Sequence, residues 1–256
     1  MFYTNEELNG LGLKSFGDNV KISTRCSIKM EIKIAIASNK YYQNLTLPII
    51  LNSLKESGIE NEMIHVFLGG YDKRKTEVKE GITYHELEQN SYEYSPLISI
   101  VENELSSDYW FLMHDTCKTG PKFKELLYSN IDESLPSKVA LTTRPSMSMG
   151  LYKYEYLLSV KDRILPIKNM DYSEDSMQYW KLWGVQYEDA ILWLTEPAPS
   201  LPKTNHRMKL VCYENWYVEN GPVRRTEYFG GFDLLKNKSN WGQTPPGRMT
   251  IRLEKQ

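Results

Sequence analysis

The chain has 256 residues, of which 41% are hydrophobic and 25% charged, with a net charge of −2 at pH 7. That composition is ordinary for a soluble globular protein and leaves room for one large α/β domain or two small ones. It excludes a global field that would recruit nucleic acid or anionic membrane. No run reaches the roughly 20 apolar residues of a membrane span, and the first residues lack a signal-peptide core. Cys26, Cys117 and Cys212 are widely separated and form no CxxC pair. They read as reduced thiols of a cytoplasmic protein. The excess is aromatic: 18 Tyr and 6 Trp, side chains that suit sugar or base stacking as well as core packing.

Residues 1–29 are expected to form an arm distinct from the domain at 30–256. Thr4 and Glu7 have capping-box spacing, so a short helix can start there. Phe16, Ile22 and Ile28 then recur every six residues, the period of a β-helix coil. The run from Glu6 to Ser23, through Leu11-Gly12-Leu13-Lys14-Ser15-Phe16-Gly17-Asp18-Asn19, resembles the start of hexapeptide-repeat acyltransferases. One coil cannot bury a solenoid core, so a remnant or packed arm is the reading.

From Met30 the pattern alternates and then turns apolar, predicting a first strand to Ala37 that ends in Ser38-Asn39-Lys40. A helix is predicted from Thr46 to Ser57, with Pro48 in its first turn and Gly58 ending it. Residues 63–68 form a second strand, closed by Gly69-Gly70-Tyr71-Asp72, and Ile82 to His85 a short third. Ser95-Pro96 opens a helix to Leu105. Tyr109 to Met113 is too short for a helix and reads as a buried strand ending in a polar turn. Next come a helix at Phe123–Tyr128, a strand at Lys138–Thr142, a loop at Ser146–Gly150 and a helix at Leu151–Leu158. Two helices at Ser173–Trp183 and Val185–Leu194 precede a Pro-rich loop. Lys209–Tyr213 and Arg224–Phe229 can be late strands, and Leu234 to Gln256 reads as irregular. The alternation of strands and helices predicts a mainly parallel sheet with helices on both faces.

Four places in residues 31–206 carry a family resemblance. They are Ala37-Ser38-Asn39, Gly69-Gly70-Tyr71-Asp72, the strand to His114 followed by Asp115, and Glu188-Asp189. Their order resembles the GT-A fold of nucleotide-sugar glycosyltransferases. The resemblance implies a mixed α/β sheet and a UDP- or GDP-type sugar donor. It implies a carbohydrate acceptor and Mn²⁺ or Mg²⁺ on the diphosphate. By that likeness Ser38, Asn39, Gly70, Asp72, His114 and Arg144 hold the donor, and Asp115 with His206 holds the metal. Asp189, or next to it Glu188, is the base of an inverting transfer. The family's acidic motif usually has two aspartates; here it reads His114-Asp115-Thr116. Read from the residues alone, each candidate also fits a plain role: a turn Asp, a tight Gly turn, a loop histidine, acids at a helix start. The alternative reading is a non-catalytic module that binds a nucleotide sugar or glycan on the same fold. The run Arg224–Phe229 and Trp241 would cover the site or make an oligomer contact.

Overall fold

A computed structural model describes residues 30–131, 138–141, 149–169, 208–210, 218–220 and 223–239. Alternating apolar residues build the first strand, β1 (Ile32–Asn39). It is followed by α1 (Gln43–Glu56), β2 (Ile64–Gly69), β3 (Lys75–Lys79) and β4 (Ile82–Glu86). Next come α2 (Ser95–Glu102), β5 (Tyr109–His114), β6 (Cys117–Thr119) and α3 (Phe123–Ser129). The later elements are β7 (Lys138–Ala140), β8 (Gly150–Lys153), α4 (Tyr154–Ser159), α5 (Lys161–Ile164), β9 (Met208–Leu210), β10 (Val218–Asn220), β11 (Val223–Phe229) and β12 (Leu234–Ser239).

Among the described residues the main sheet has eight strands in the order β3-β4-β2-β1-β5-β8-β7-β9. Its centre, β4-β2-β1-β5, is parallel, while β3 and β8 run antiparallel to their neighbours β4 and β5. The protein is therefore α/β with a mixed sheet, as the alternation of elements predicts. Side chains on successive strand residues point to opposite faces. On one face Ala35, Phe67, Trp110, Leu112 and Tyr152 join Leu97, Ile98 and Val101 of α2, Leu157 of α4 and Ile164 of α5. On the other, Phe111 meets Phe123 of α3 at 5.2 Å between ring centroids and Phe232 at 5.0 Å. Strands β1, β2 and β5 are largely apolar because both faces are covered, with Lys33 and His65 among the exceptions.

Several expectations are corrected. The helix predicted from Thr46 begins at Gln43, because Asn39 Oδ1 accepts the N–H groups of Tyr41 and Tyr42 and turns the chain early. Pro48 consequently lies inside the helix instead of in its first turn. The helix from Ser95 stops at Glu102, not Leu105. Leu151–Leu158 is not one helix: Leu151 and Tyr152 pair with Phe111 and Trp110, and the helix starts at Tyr154. The polar strand β3 gave no apolar signal because it is a charged sheet edge. The predicted loop after Asp115 contains β6, and the start of the predicted irregular tail is β12. Those two strands pair antiparallel in a second sheet, which among the described residues has the order β10-β11-β12-β6. The N-terminal arm and the predicted helices at 173–183 and 185–194 lie outside the described residues.

The turn before β12 is latched onto the start of α3. Asp233 accepts the Lys122 N–H at 2.9 Å and the Tyr228 hydroxyl at 2.8 Å, and its own carbonyl accepts the Gly120 N–H at 2.7 Å. Asp233 also sits at φ 50, a left-handed conformation that Asp tolerates better than Ala. Asp233→Ala is expected to cost roughly 2–3 kcal/mol, read as a lower urea midpoint with unchanged slope. An unchanged midpoint would show that the latch carries no stability.

Candidate functional site

The parallel strands fix where a ligand can enter. From β1 the chain moves to β2 and then β4 on one side, and returns to β5 on the other side of β1. In open α/β sheets the crevice at such a reversal, outside the carboxyl ends of the strands, is the usual ligand site. Here those ends carry Asn39, Gly69, Glu86 and His114.

Between β1 and β5 the crevice is closed by a polar knot. The Ser38 hydroxyl donates to Asp115 Oδ2 at 2.6 Å, and the Thr46 hydroxyl donates to the same oxygen at 2.7 Å. The Asp115 N–H donates to the Ala37 carbonyl at 3.1 Å, extending the β1–β5 ladder by one bond. Burial pushes the Asp115 carboxyl above its ordinary range, and the two hydroxyl bonds pull in the opposite direction. Thr46 reaches Asp115 from the first turn of α1, where it also faces the Tyr42 carbonyl at 3.1 Å.

Between β1 and β2 the backbone makes the surface. The Lys40 N–H donates to the Gly69 carbonyl at 3.1 Å, and the Gly70 N–H donates to the Gln89 carbonyl at 3.4 Å. Gly70 adopts φ 85, and a Cβ on Gly69 would sit 2.6 Å from Asn90 Oδ1 and 3.0 Å from its Cα. The glycine pair thus lets residues 87–91 close over the end of β2. In that segment Gln89 Nε2, Asn90 Oδ1 and Ser91 Oγ are buried without a hydrogen-bonding partner among the described residues, as is Ser95 Oγ at the start of α2. Ser91 is 1% exposed and Ser95 0%. Buried polar atoms are normally satisfied, so four orphans in seven residues mark a segment whose packing leaves hydrogen-bonding capacity unused.

The structure brings Ser38, Asn39, Gly70, His114 and Asp115 to one end of the sheet, but with different work than their types alone suggest. Asn39 spends its side-chain oxygen on the turn before α1. Asp72 is 98% exposed at its side chain and lies 3.7 Å from Lys40 Nζ. His114 is half-buried at the last position of β5. Arg144, Glu188, Asp189 and His206 lie outside the described residues. Sequence reasoning missed Lys40, Thr46, Gln89, Asn90, Ser91 and Ser95. Lys40 was visible as the cation directly after Ser38-Asn39; the orphan amides and hydroxyls had no signal, because burial without a partner is a property of packing.

A divalent ion fits the described residues poorly. No three His, Cys, Asp or Glu side chains gather to hold one among the described residues. One oxygen of Asp115 already accepts two hydroxyl hydrogens.

Among the described residues no helix is long and apolar enough to cross a membrane. No protein-family model matches the chain, and no curated protein matches it.

Proposed function

We propose that the chain is a glycosyltransferase of the GT-A type, moving a sugar from a UDP- or GDP-type donor to a carbohydrate or other hydroxyl acceptor. The observation that carries this reading is the set of buried, unpartnered polar atoms of Gln89, Asn90, Ser91 and Ser95 beside the Gly69–Gly70 turn. An amide donor, an amide acceptor and two hydroxyls are groups able to read the mixed edge of a nucleobase or ribose if a shift of this segment exposes them. Their place at the strand ends is where an α/β sheet binds nucleotides. Tyr41, exposed and beside Gly70, offers a stacking face. Lys40 offers positive charge near the same end, where a leaving diphosphate gains negative charge.

Transfer to a hydroxyl needs a base that takes its proton as the new bond forms. Asp189 is the proposed base and Glu188 the second choice. The resemblance implies Mn²⁺ or Mg²⁺ on the diphosphate, but the described residues do not complete a cage for it and Asp115 Oδ2 is already engaged by two hydroxyls, so no step is routed through the ion.

The test is thermal stabilisation by UDP and by GDP, each with Mn²⁺, with Mg²⁺ and with EDTA. A ligand at 100 times its dissociation constant stabilises the folded state by about 2.7 kcal/mol. Asn90→Ala and Ser95→Ala are each expected to weaken nucleotide binding about tenfold, the loss of one buried hydrogen bond of roughly 1.4 kcal/mol. No stabilisation by either nucleotide under any of the three conditions would sink the reading. The second reading, a binding module without turnover, is favoured by the single acid in His114-Asp115-Thr116. Nucleotide binding without release of UDP or GDP from a sugar donor would select it.

A further inference from the structure

We infer that Asp115 is a positioning residue, with Ser38 and Thr46 as its partners, and not a metal ligand. Its carboxylate ties three separate pieces together. Ser38 belongs to the end of β1, Thr46 to the first turn of α1, and Asp115 to the turn after β5. Both hydroxyls converge on one oxygen at 2.6 and 2.7 Å, the short distances of hydroxyl donors to a carboxylate. The Asp115 N–H adds a third tie, to the Ala37 carbonyl.

This knot sets the width of the crevice. Ser38 is one residue from Asn39, which turns the chain toward α1, and two from Lys40, whose N–H is fixed to Gly69. On the other side, the Thr116 carbonyl accepts the Asn237 N–H at 3.0 Å, so the same turn is also fixed to β12. Releasing Asp115 Oδ2 would therefore loosen β1, α1 and β5 against one another where a ligand enters. An ion on that oxygen would have to displace both hydroxyls, and no group of three His, Cys, Asp or Glu side chains gathers to hold one among the described residues.

The two roles respond differently to two substitutions. Asp115→Asn removes the charge but keeps an amide oxygen that accepts both hydroxyls. Asp115→Ala removes the acceptor as well. A metal ligand loses Mn²⁺ affinity in both, since a neutral amide oxygen holds the ion more weakly than a carboxylate does; a positioning acceptor is rescued by Asn. The experiment measures the melting temperature of the full chain and its affinity for Mn²⁺ alone, by paramagnetic resonance, for wild type and both variants. The expected result is an Asp115→Asn variant within about 3 °C of wild type, an Asp115→Ala variant lower by roughly 4–8 °C, and Mn²⁺ binding unaltered by Asp115→Asn. Three results would overturn the inference: Asn as damaging as Ala, Ala as harmless as Asn, or Mn²⁺ affinity at least about tenfold weaker in Asp115→Asn. Should Asp115→Ala fail to fold, Thr46→Val with Ser38→Ala removes the same two bonds from the other side, and it should lower the melting temperature where Asp115→Asn does not.

Neither readout involves a nucleotide, so the inference stands or falls apart from the proposed transferase activity. A further readout rests on that activity: UDP or GDP affinity, retained in Asp115→Asn and lost about tenfold or more when both hydroxyls are removed. Its absence in wild type would count against the proposed function and leave the Asp115 assignment as measured.

Discussion

Between pH 7 and pH 5 the protein is expected to lose roughly 2–4 kcal/mol of stability through two buried histidines. His65 and His85 are 9% and 7% exposed. Their rings stack, with His65 Nδ1 3.0 Å from His85 Nε2, and Thr76 Oγ1 lies 3.2 Å from His85 Nδ1. The hydroxyl and the two rings satisfy each other while both rings are neutral, and once both are protonated His65 Nδ1–H and His85 Nε2–H face each other as two donors. Burial, then the neighbouring His85 and then Lys33, push His65 down to about 3; burial pushes His85 down to about 4.

A histidine whose folded value lies below its unfolded one binds its proton better in the unfolded chain. The unfolded state therefore takes up protons first, and stability falls as pH drops below about 6.5, continuing until the folded values near 4 and 3 are reached. The loss between pH 7 and pH 5 is roughly 2 kcal/mol per ring, less than twice that for a coupled pair. Carboxylates titrate mainly below this window, which isolates the histidine contribution. Urea midpoints at pH 7, 6 and 5 measure it. The double variant His65→Phe with His85→Phe should flatten the dependence, since Thr76 is exposed and can turn to water. A wild-type midpoint constant from pH 7 to pH 5 would show that the pair protonates in the folded state.

Trp110→Ala should be the most destabilising single change. Trp110 is fully buried in the middle strand of the sheet. Its ring meets the His65 ring edge-on at 5.0 Å and the Phe67 ring at 6.4 Å, and Lys33 Nζ lies 5.8 Å from its centroid. Its Nε1–H donates to the Leu105 carbonyl at 3.1 Å, which fixes the chain where α2 has ended and β5 is about to begin. Truncation removes that bond and leaves a large cavity, at a cost of roughly 3–5 kcal/mol. That is a large share of the 5–15 kcal/mol typical of a domain. Trp110→Phe keeps most of the packing and loses mainly the hydrogen bond, so about 1–2 kcal/mol is expected. The pair of urea midpoints separates cavity from hydrogen bond; an Ala variant no worse than Phe would mean that the site collapses around the gap.

The sequence read the central strands well because both faces are buried. Ile32 to Ala37, Ile64 to Leu68 and Tyr109 to Met113 are mostly apolar runs too short for helices, and each became a parallel strand. It read poorly wherever pairing, not composition, made the strand. Lys75–Lys79 is a strand because β4 offers a free edge, and Cys117–Thr119 because β12 returns to it from more than a hundred residues away. Leu151 and Tyr152 have helix-compatible neighbours, yet pairing with β5 decides their conformation.

The same division holds at the candidate site. Local sequence was enough to place Ser38-Asn39, Gly69-Gly70 and His114-Asp115 at strand ends, since a run of apolar residues must stop where polar and glycine residues begin. Which strand ends are neighbours was decided by topology: β1 lies between β2 and β5, so Gly69 and His114 both face the end of β1. What each side chain does was decided by partners distant in the chain. Asp115 is an isolated acid in sequence, and it becomes the centre of a knot only because Ser38 and Thr46, 77 and 69 residues earlier, are folded against it. The orphan atoms of Gln89, Asn90, Ser91 and Ser95 arise in the same way, from a loop pressed onto Gly69 that buries polar groups before it satisfies them. Sequence sets where an apolar run ends; burial and hydrogen-bond supply, which are sums over the whole fold, set what the residue at that end is able to do.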